Sequence, residues 1–158
     1  FNECIKTNPK LKLLIVGDGP EKKTLQKLTE SLKQKSHVAF LGSIPNSDIG
    51  SIFSKCFVSI SASKSEAFGI VNIESLREGT PVICTNTEGT KDIIVNGKNG
   101  FIVDLTKKND LSKTISKIIE NWDFFSVNAL NTFNEKYSKE NISAHAKQII
   151  NIIRNVNN

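Results

Sequence analysis

Five short apolar runs, at residues 12–16, 38–41, 56–61, 81–85 and 100–103, recur along the chain with a helix-sized segment between each and the next. Strands spaced this way cannot pair through tight antiparallel turns. They need crossovers, so the alternation predicts an α/β fold: a doubly wound, Rossmann-like parallel sheet with helices on both faces. Between the runs, Pro20 opens a helix in which Leu25, Leu28 and Leu32 repeat at helical spacing to about Gln34. Asn46 or Ser47 is expected to cap a second helix with Ile49, Ile52 and Phe53 on its buried face. Gly97 and Gly100 punctuate a turn before the last strand. Beyond it the pattern is wholly helical, through Leu111, Ile115, Ile118 and Ile119, then residues 122–133, then 142–156.

A chain of 158 residues, 38% of them apolar, buries one substantial core, so residues 1–158 read as one domain. It contains no Met and opens on Phe1, Cys4 and Ile5 in mid-pattern, which suggests a fragment of a longer protein. The net charge of +5 comes mostly from lysines spread along helices, with Arg77 and Arg154 the two arginines. Solvated helix faces account for it, and nucleic acid is not an expected partner. Cys4, Cys56 and Cys84 are odd in number and unclustered, as expected of reduced thiols in a cytoplasmic protein. No apolar run approaches the roughly 20 residues of a membrane span, and no signal peptide is visible. His37 and His145 stand apart from each other and from any Cys pair, so no metal set or catalytic triad is expected.

The chemistry concentrates in residues 65–81, SEAFGIVNIESLREGTP. Glu66 falls just past the carboxyl end of the third strand, and a helical pattern with Ile70, Ile73 and Leu76 on one face starts near Gly69. Glu74 then lies one turn into the helix. The N–H groups of Phe68, Gly69, Ile70 and Val71 sit at a helix start, which attracts anions. Amides for a phosphate, flanked by two carboxylates for hydroxyls, read as a ligand site. Most glutamates are merely solvated, which is the plain alternative. Gly17-Asp18-Gly19 follows the first strand and precedes a helix, as a nucleotide loop would. Lys22 replaces the third glycine of a dinucleotide fingerprint, and the second strand ends without an acid for an adenosine ribose, which counts against NAD or flavin. A tight strand-to-helix turn is the structural alternative.

Residues 65–81 resemble the signature of the retaining GT-B glycosyltransferases of the glycosyl transferases group 1 family. LLIVGDGPE (residues 13–21), VAFLGSIPN (38–46), GTPVICTN (79–86) and NGKNGFIV (96–103) resemble that family's blocks in order and spacing. The resemblance implies the C-terminal, donor-binding half of a GT-B fold, lacking its first strand. The strands at 12–16 and 56–61 would then flank a vacant position and either close on each other or borrow a strand. It implies that residues 138–156 form a helix packing on an N-terminal domain absent from this sequence. It assigns Glu66 to the transferred sugar near its reacting carbon, as the catalytic residue, and Glu74 to the ribose hydroxyls. Gly17, Asp18, Gly19, Gly42, Ser43, Ile44, Ala67, Phe68, Gly69, Ile70 and Val71 would complete the donor contacts, the Gly42–Ile44 loop serving the base.

By the same resemblance the substrate is a nucleotide-diphosphate sugar, with no metal and no cofactor. The partner is a glycan or lipid-linked acceptor, with peripheral membrane contact through the full-length protein. An Arg and a Lys that the family carries before the first helix are not in this sequence. Residues 87–90, Thr-Glu-Gly-Thr, depart from the family's more usual Gly-Gly loop, and Glu88 is placed to narrow the cleft. The two glutamates are not expected to be a hydrolase pair, which would set both carboxyls across one glycosidic bond. A GT-B sugar-nucleotide epimerase and a non-enzymatic nucleotide-sugar-binding module remain the alternatives, separated by acceptor dependence and by gene length.

Overall fold

The computed structural model describes residues 1–107, 110–143 and 147. Strands form at all five expected places: β1 (Leu13–Val16), β2 (Val38–Gly42), β3 (Ser59–Ser61), β4 (Val82–Thr85) and β5 (Gly100–Val103). The helices are α1 (Asn2–Thr7), α2 (Lys22–Ser31), α3 (Asn46–Phe53), α4 (Ile70–Arg77), α5 (Glu88–Lys91), α6 (Asp110–Glu120) and α7 (Trp122–Lys136). Every strand pair is parallel, as strands joined through helices must be. The last helix expected, at 142–156, lies almost wholly outside the described residues, as does His145.

Alternation along β4 and β5 builds the core. Ile83 and Val103 face one cluster with Cys4 of α1, Ile115 and Ile118 of α6 and Phe125 of α7, with Phe101 packed against it. Val82 and Cys84 face the opposite cluster with Leu76 of α4, Ile93, Ile94 and Ala129 of α7, and Ile102 joins that side. Successive residues of a strand point to opposite faces, so this partition puts helices on both sides of the sheet. Helix α7 supplies Phe125 to one cluster and Ala129 to the other.

Four expectations need correction. β1 pairs with β2, and β3–β4–β5 form a second sheet, so β1 and β3, expected to flank a vacant position, are each an edge strand. Among the described residues β1 and β3 neither close on each other nor gain a strand, and Leu14, Val16 and Ile60 stay exposed. The third strand starts at Ser59 rather than at residue 56. Cys56 N–H is drawn back to Phe53 O at 2.8 Å, and the Phe57 carbonyl accepts the Trp122 indole N–H at 3.1 Å, which takes both out of the ladder. Pro45, not Asn46 or Ser47, occupies the cap position of α3, and Asp48 N–H donates to its carbonyl at 2.9 Å. Finally, α4 turns Asn72, Ser75 and Leu76 inward, whereas Ile70 is exposed. Ser75 explains the rotation: its hydroxyl donates to Thr80 O at 2.8 Å and lies 2.7 Å from the Ser59 hydroxyl, so a small polar residue lets α4 approach β3 closely.

Cys4 and Cys84 are buried and Cys56 is half-buried, all as free thiols. His37 has a structural partner, its Nδ1 lying 2.9 Å from the Leu11 carbonyl. Among the described residues no helix is long and apolar enough to cross a membrane.

Candidate functional site

The loop from β3 to α4 carries Glu66 and is held from two sides. Thr85 at the end of β4 donates its hydroxyl to Ser63 O at 2.5 Å, and Gly89 of α5 donates its N–H to Glu66 O at 2.9 Å. Gly89 is required there. A Cβ on it would sit 2.6 Å from Phe68 N and 2.8 Å from both Ala67 C and Glu66 O, all backbone atoms that cannot swing aside. Residues 87–90, expected as a plain loop, are in fact the start of α5. Thr87 caps it, its N–H donating to Thr90 Oγ1 at 3.0 Å. Glu88 is exposed and pairs with Lys91 at 2.6 Å.

The loop ends at Gly69, the N-cap of α4, whose φ of 83° is a left-handed conformation that side-chain-bearing residues rarely adopt. The Glu66 carboxylate folds back over this start, Oε1 accepting the N–H of Gly69 at 3.1 Å and, more weakly, that of Phe68 at 3.4 Å. Two of the four amides expected to be free are thus engaged by Glu66 itself. Those of Ile70 and Val71, in the first turn of α4, precede any carbonyl that closes a helical hydrogen bond. Phe68, Ile70 and Val71 expose their side chains around the same helix start, an apolar rim beside polar amides.

Glu74 lies in the second turn of α4, half-buried, and among the described residues it has no hydrogen-bond or ion-pair partner. Two residues earlier, about half a turn round the helix, stands Asn72, which the sequence reading passed over. It is 2% exposed, and its Nδ2 has no hydrogen-bond partner among the described residues. A Cβ on Gly69 would lie 3.0 Å from that nitrogen, which puts the amide directly behind the helix start. The signal for it was one polar residue interrupting the apolar run Ile70-Val71-Asn72-Ile73.

The two remaining expected loops meet each other. Gly17 N–H donates to Gly42 O at 2.7 Å, and Asp18 pairs with Lys22 at 3.1 Å. Lys22, the residue that breaks the dinucleotide fingerprint, thereby reaches back to the loop, and its Nζ would lie 3.7 Å from a Cβ on Gly42. Gly19 and Ser43 are exposed and Ile44 is half-buried. The structure therefore forms two groups, Gly17–Asp18–Lys22–Gly42 beside the first sheet and Glu66–Gly69–Asn72 beside the second, with Glu74 further along α4. Among the described residues no hydrogen bond or ion pair joins them. No cluster of three or more His, Cys, Asp or Glu side chains is placed to hold a metal ion among the described residues. A shallow groove between α1 and α6, lined by Thr7, Lys113, Lys117 and Glu120 among others, includes none of these residues.

The family profile described as "Glycosyl transferases group 1" matches residues 2–148. The alpha-monoglucosyldiacylglycerol synthase of Acholeplasma laidlawii is 31% identical over 121 residues, covering 77% of this chain and 30% of that protein. The poly(glycerol-phosphate) alpha-glucosyltransferase of Bacillus subtilis is 29% identical over 144 residues, covering 89% of this chain and 21% of that protein. The chain thus spans well under half the length of either relative. Among solved structures, the pneumococcal O-GlcNAc transferase GtfA in complex with UDP and GlcNAc superposes with a TM-score of 0.79 at 20% identity, over 96% of this chain and 31% of that one. Sucrose-phosphate synthase from Thermosynechococcus elongatus gives 0.81 at 22% identity, over 98% and 41%. The shared architecture is the GT-B kind, parallel sheets with helices on both sides.

Proposed function

Because this chain belongs to the glycosyl transferases group 1 family, we propose that it is the donor-binding part of a retaining glycosyltransferase. The enzyme moves a hexose-type sugar from a nucleotide diphosphate to a hydroxyl acceptor, in polysaccharide or glycolipid synthesis. The observation that carries the reading is the start of α4, where amides and two carboxylates occur within nine residues on a loop pinned by Gly89. The names of two relatives, one the synthase of a glucosyl lipid and one a glucosyltransferase of poly(glycerol phosphate), support the acceptor class.

The chemistry follows from charge. When the sugar leaves, negative charge builds on the β-phosphate, and donors already aimed at that position lower the barrier without reorganising. The amides of Ile70 and Val71 are such donors, and those of Phe68 and Gly69 join them once Glu66 gives them up. Glu74, half-buried and unpaired, accepts the ribose hydroxyls. Glu66, three residues before the helix cap, serves the transferred sugar near its reacting carbon. Gly17, Asp18 and Gly19 face the diphosphate, and Gly42, Ser43 and Ile44 meet the base. The decisive experiment titrates UDP, GDP and ADP against the intact gene product and then measures sugar transfer from the matching donor. One preferred diphosphate, with its release dependent on a hydroxyl acceptor, is expected. Turnover of the donor without an acceptor, to an epimerised sugar, would refute transfer.

A further inference from the structure

The Glu66 carboxylate already occupies the helix start that a phosphate would use. Its Oε1 takes the N–H of Gly69 at 3.1 Å and of Phe68 at 3.4 Å, the arrangement by which a helix start holds an oxyanion. A second, independent feature marks the same place as a ligand seat. Asn72 is 2% exposed, its Nδ2 lacks a hydrogen-bond partner among the described residues, and it stands immediately behind Gly69. An unsatisfied buried donor is destabilising, and a group of this kind calls for a missing partner. Neither Glu66 nor Glu74, the acids on either side of it in sequence, supplies it among the described residues.

We propose that Glu66 is an internal counter-anion: its carboxylate fills the phosphoryl seat at the start of α4 while the protein is empty, and a phosphorylated ligand displaces it. The inference rests on the donor-site reading above and adds a movement to it. On entry the phosphoryl oxygens take over the amides of Phe68 and Gly69 and gain the Asn72 donor. The released carboxylate then turns to accept hydroxyls of the sugar. One residue thereby serves two positions in succession. The empty site is never an unfilled cluster of amides, and the sugar-facing carboxylate is delivered only once the phosphate is seated.

The inference makes a prediction opposite to that for an ordinary binding residue. Removing Glu66 removes a competitor, so diphosphate affinity rises while transfer falls. Calorimetric titrations with inorganic pyrophosphate and with UDP, GDP and ADP would use the intact gene product. Glu66→Ala is expected to bind diphosphate roughly threefold to fivefold more tightly than the wild type, the weight of a partly exposed carboxylate at a helix start. Glu66→Gln falls between the two. Asn72→Leu, similar in volume, weakens diphosphate binding. Glu88→Gln removes a neighbouring negative charge without touching the seat and leaves affinity unchanged. Unchanged or weaker binding by Glu66→Ala overturns the inference alone, as does equal tightening by Glu88→Gln. Failure of the wild type to bind any diphosphate overturns the donor-site reading and this inference with it. A crystal structure of the wild type with diphosphate bound tests the movement without relying on any variant's folding. Glu66 Oε1 still hydrogen-bonded to Gly69 N–H in that complex would refute displacement.

Discussion

Replacing Gly89 by alanine probes how the site is held without touching any group assigned to a ligand. The new methyl would begin 2.6 Å from Phe68 N and 2.8 Å from Ala67 C and Glu66 O, well inside contact distance and entirely against backbone. The structure must either tolerate the clash or move the β3–α4 loop off α5. Overpacking of this kind costs about 1–3 kcal/mol. Moving the loop stretches the hydrogen bond from Gly89 N–H to Glu66 O, now 2.9 Å, a loss of about 1 kcal/mol. The two costs are alternatives more than a sum, since relieving one incurs the other, so about 2 kcal/mol of destabilisation is expected. For a chain of this size that lowers the melting temperature by roughly 4–8 °C.

Urea unfolding followed by fluorescence of Trp122, the single tryptophan, reads the loss directly. Gly19→Ala is the matched control: nothing lies within 4 Å of its added Cβ, and its φ is not in the left-handed region. Its stability should stay within about 0.5 kcal/mol of wild type. Any fall in diphosphate affinity at Gly19 then reports close approach of ligand to backbone. Equal stability of Gly89→Ala and Gly19→Ala would refute the claim that α5 clamps the loop.

Glu74→Ala in the intact gene product should chiefly raise the donor KM, because a ribose contact is made equally in ground and transition states, whereas Glu66→Ala should chiefly lower kcat; steady-state kinetics with varied donor separates them. Asn99 is fully buried, donating to Ile93 O at 3.0 Å and the Thr132 hydroxyl at 3.2 Å while accepting from Val95 N–H at 2.8 Å, so Asn99→Ala should cost about 3 kcal/mol in urea unfolding. Burial pushes the Cys84 thiol up, against a smaller lowering by its hydrogen bond with Thr90, and burial raises Cys56 as well. Above about pH 8.5 the unfolded chain therefore holds fewer thiol protons than the folded one, and stability falls as pH rises. The alkaline slope should be shallower in Cys84→Ala, measured by urea unfolding between neutral pH and about pH 10.

What the sequence made legible was governed by local rules, and what it hid depended on partners far along the chain. Strand positions follow from short apolar runs, and the start of α4 follows from Gly69, whose left-handed φ is a local requirement. The truncation of β3 does not, because it is fixed in part by Trp122, 65 residues beyond Phe57. The break between β2–β1 and β3–β4–β5 was legible only through the family resemblance, since strand neighbours are set by pairing and not by the pattern within each strand. Within the site, the amides of Phe68 and Gly69 were legible as anion donors, yet their present partner was overlooked. An acid two and three residues ahead of free N–H groups is itself a local capping pattern, so Glu66 had been readable as a self-ligand. Gly89 shows the other limit. Its need for a bare α-carbon arises from the backbone of residues 66–68 lying across it, and no propensity at position 89 records that. The family-like blocks therefore point to the residues proposed for the ligand, while the contact that holds their loop is a tertiary one between two loops.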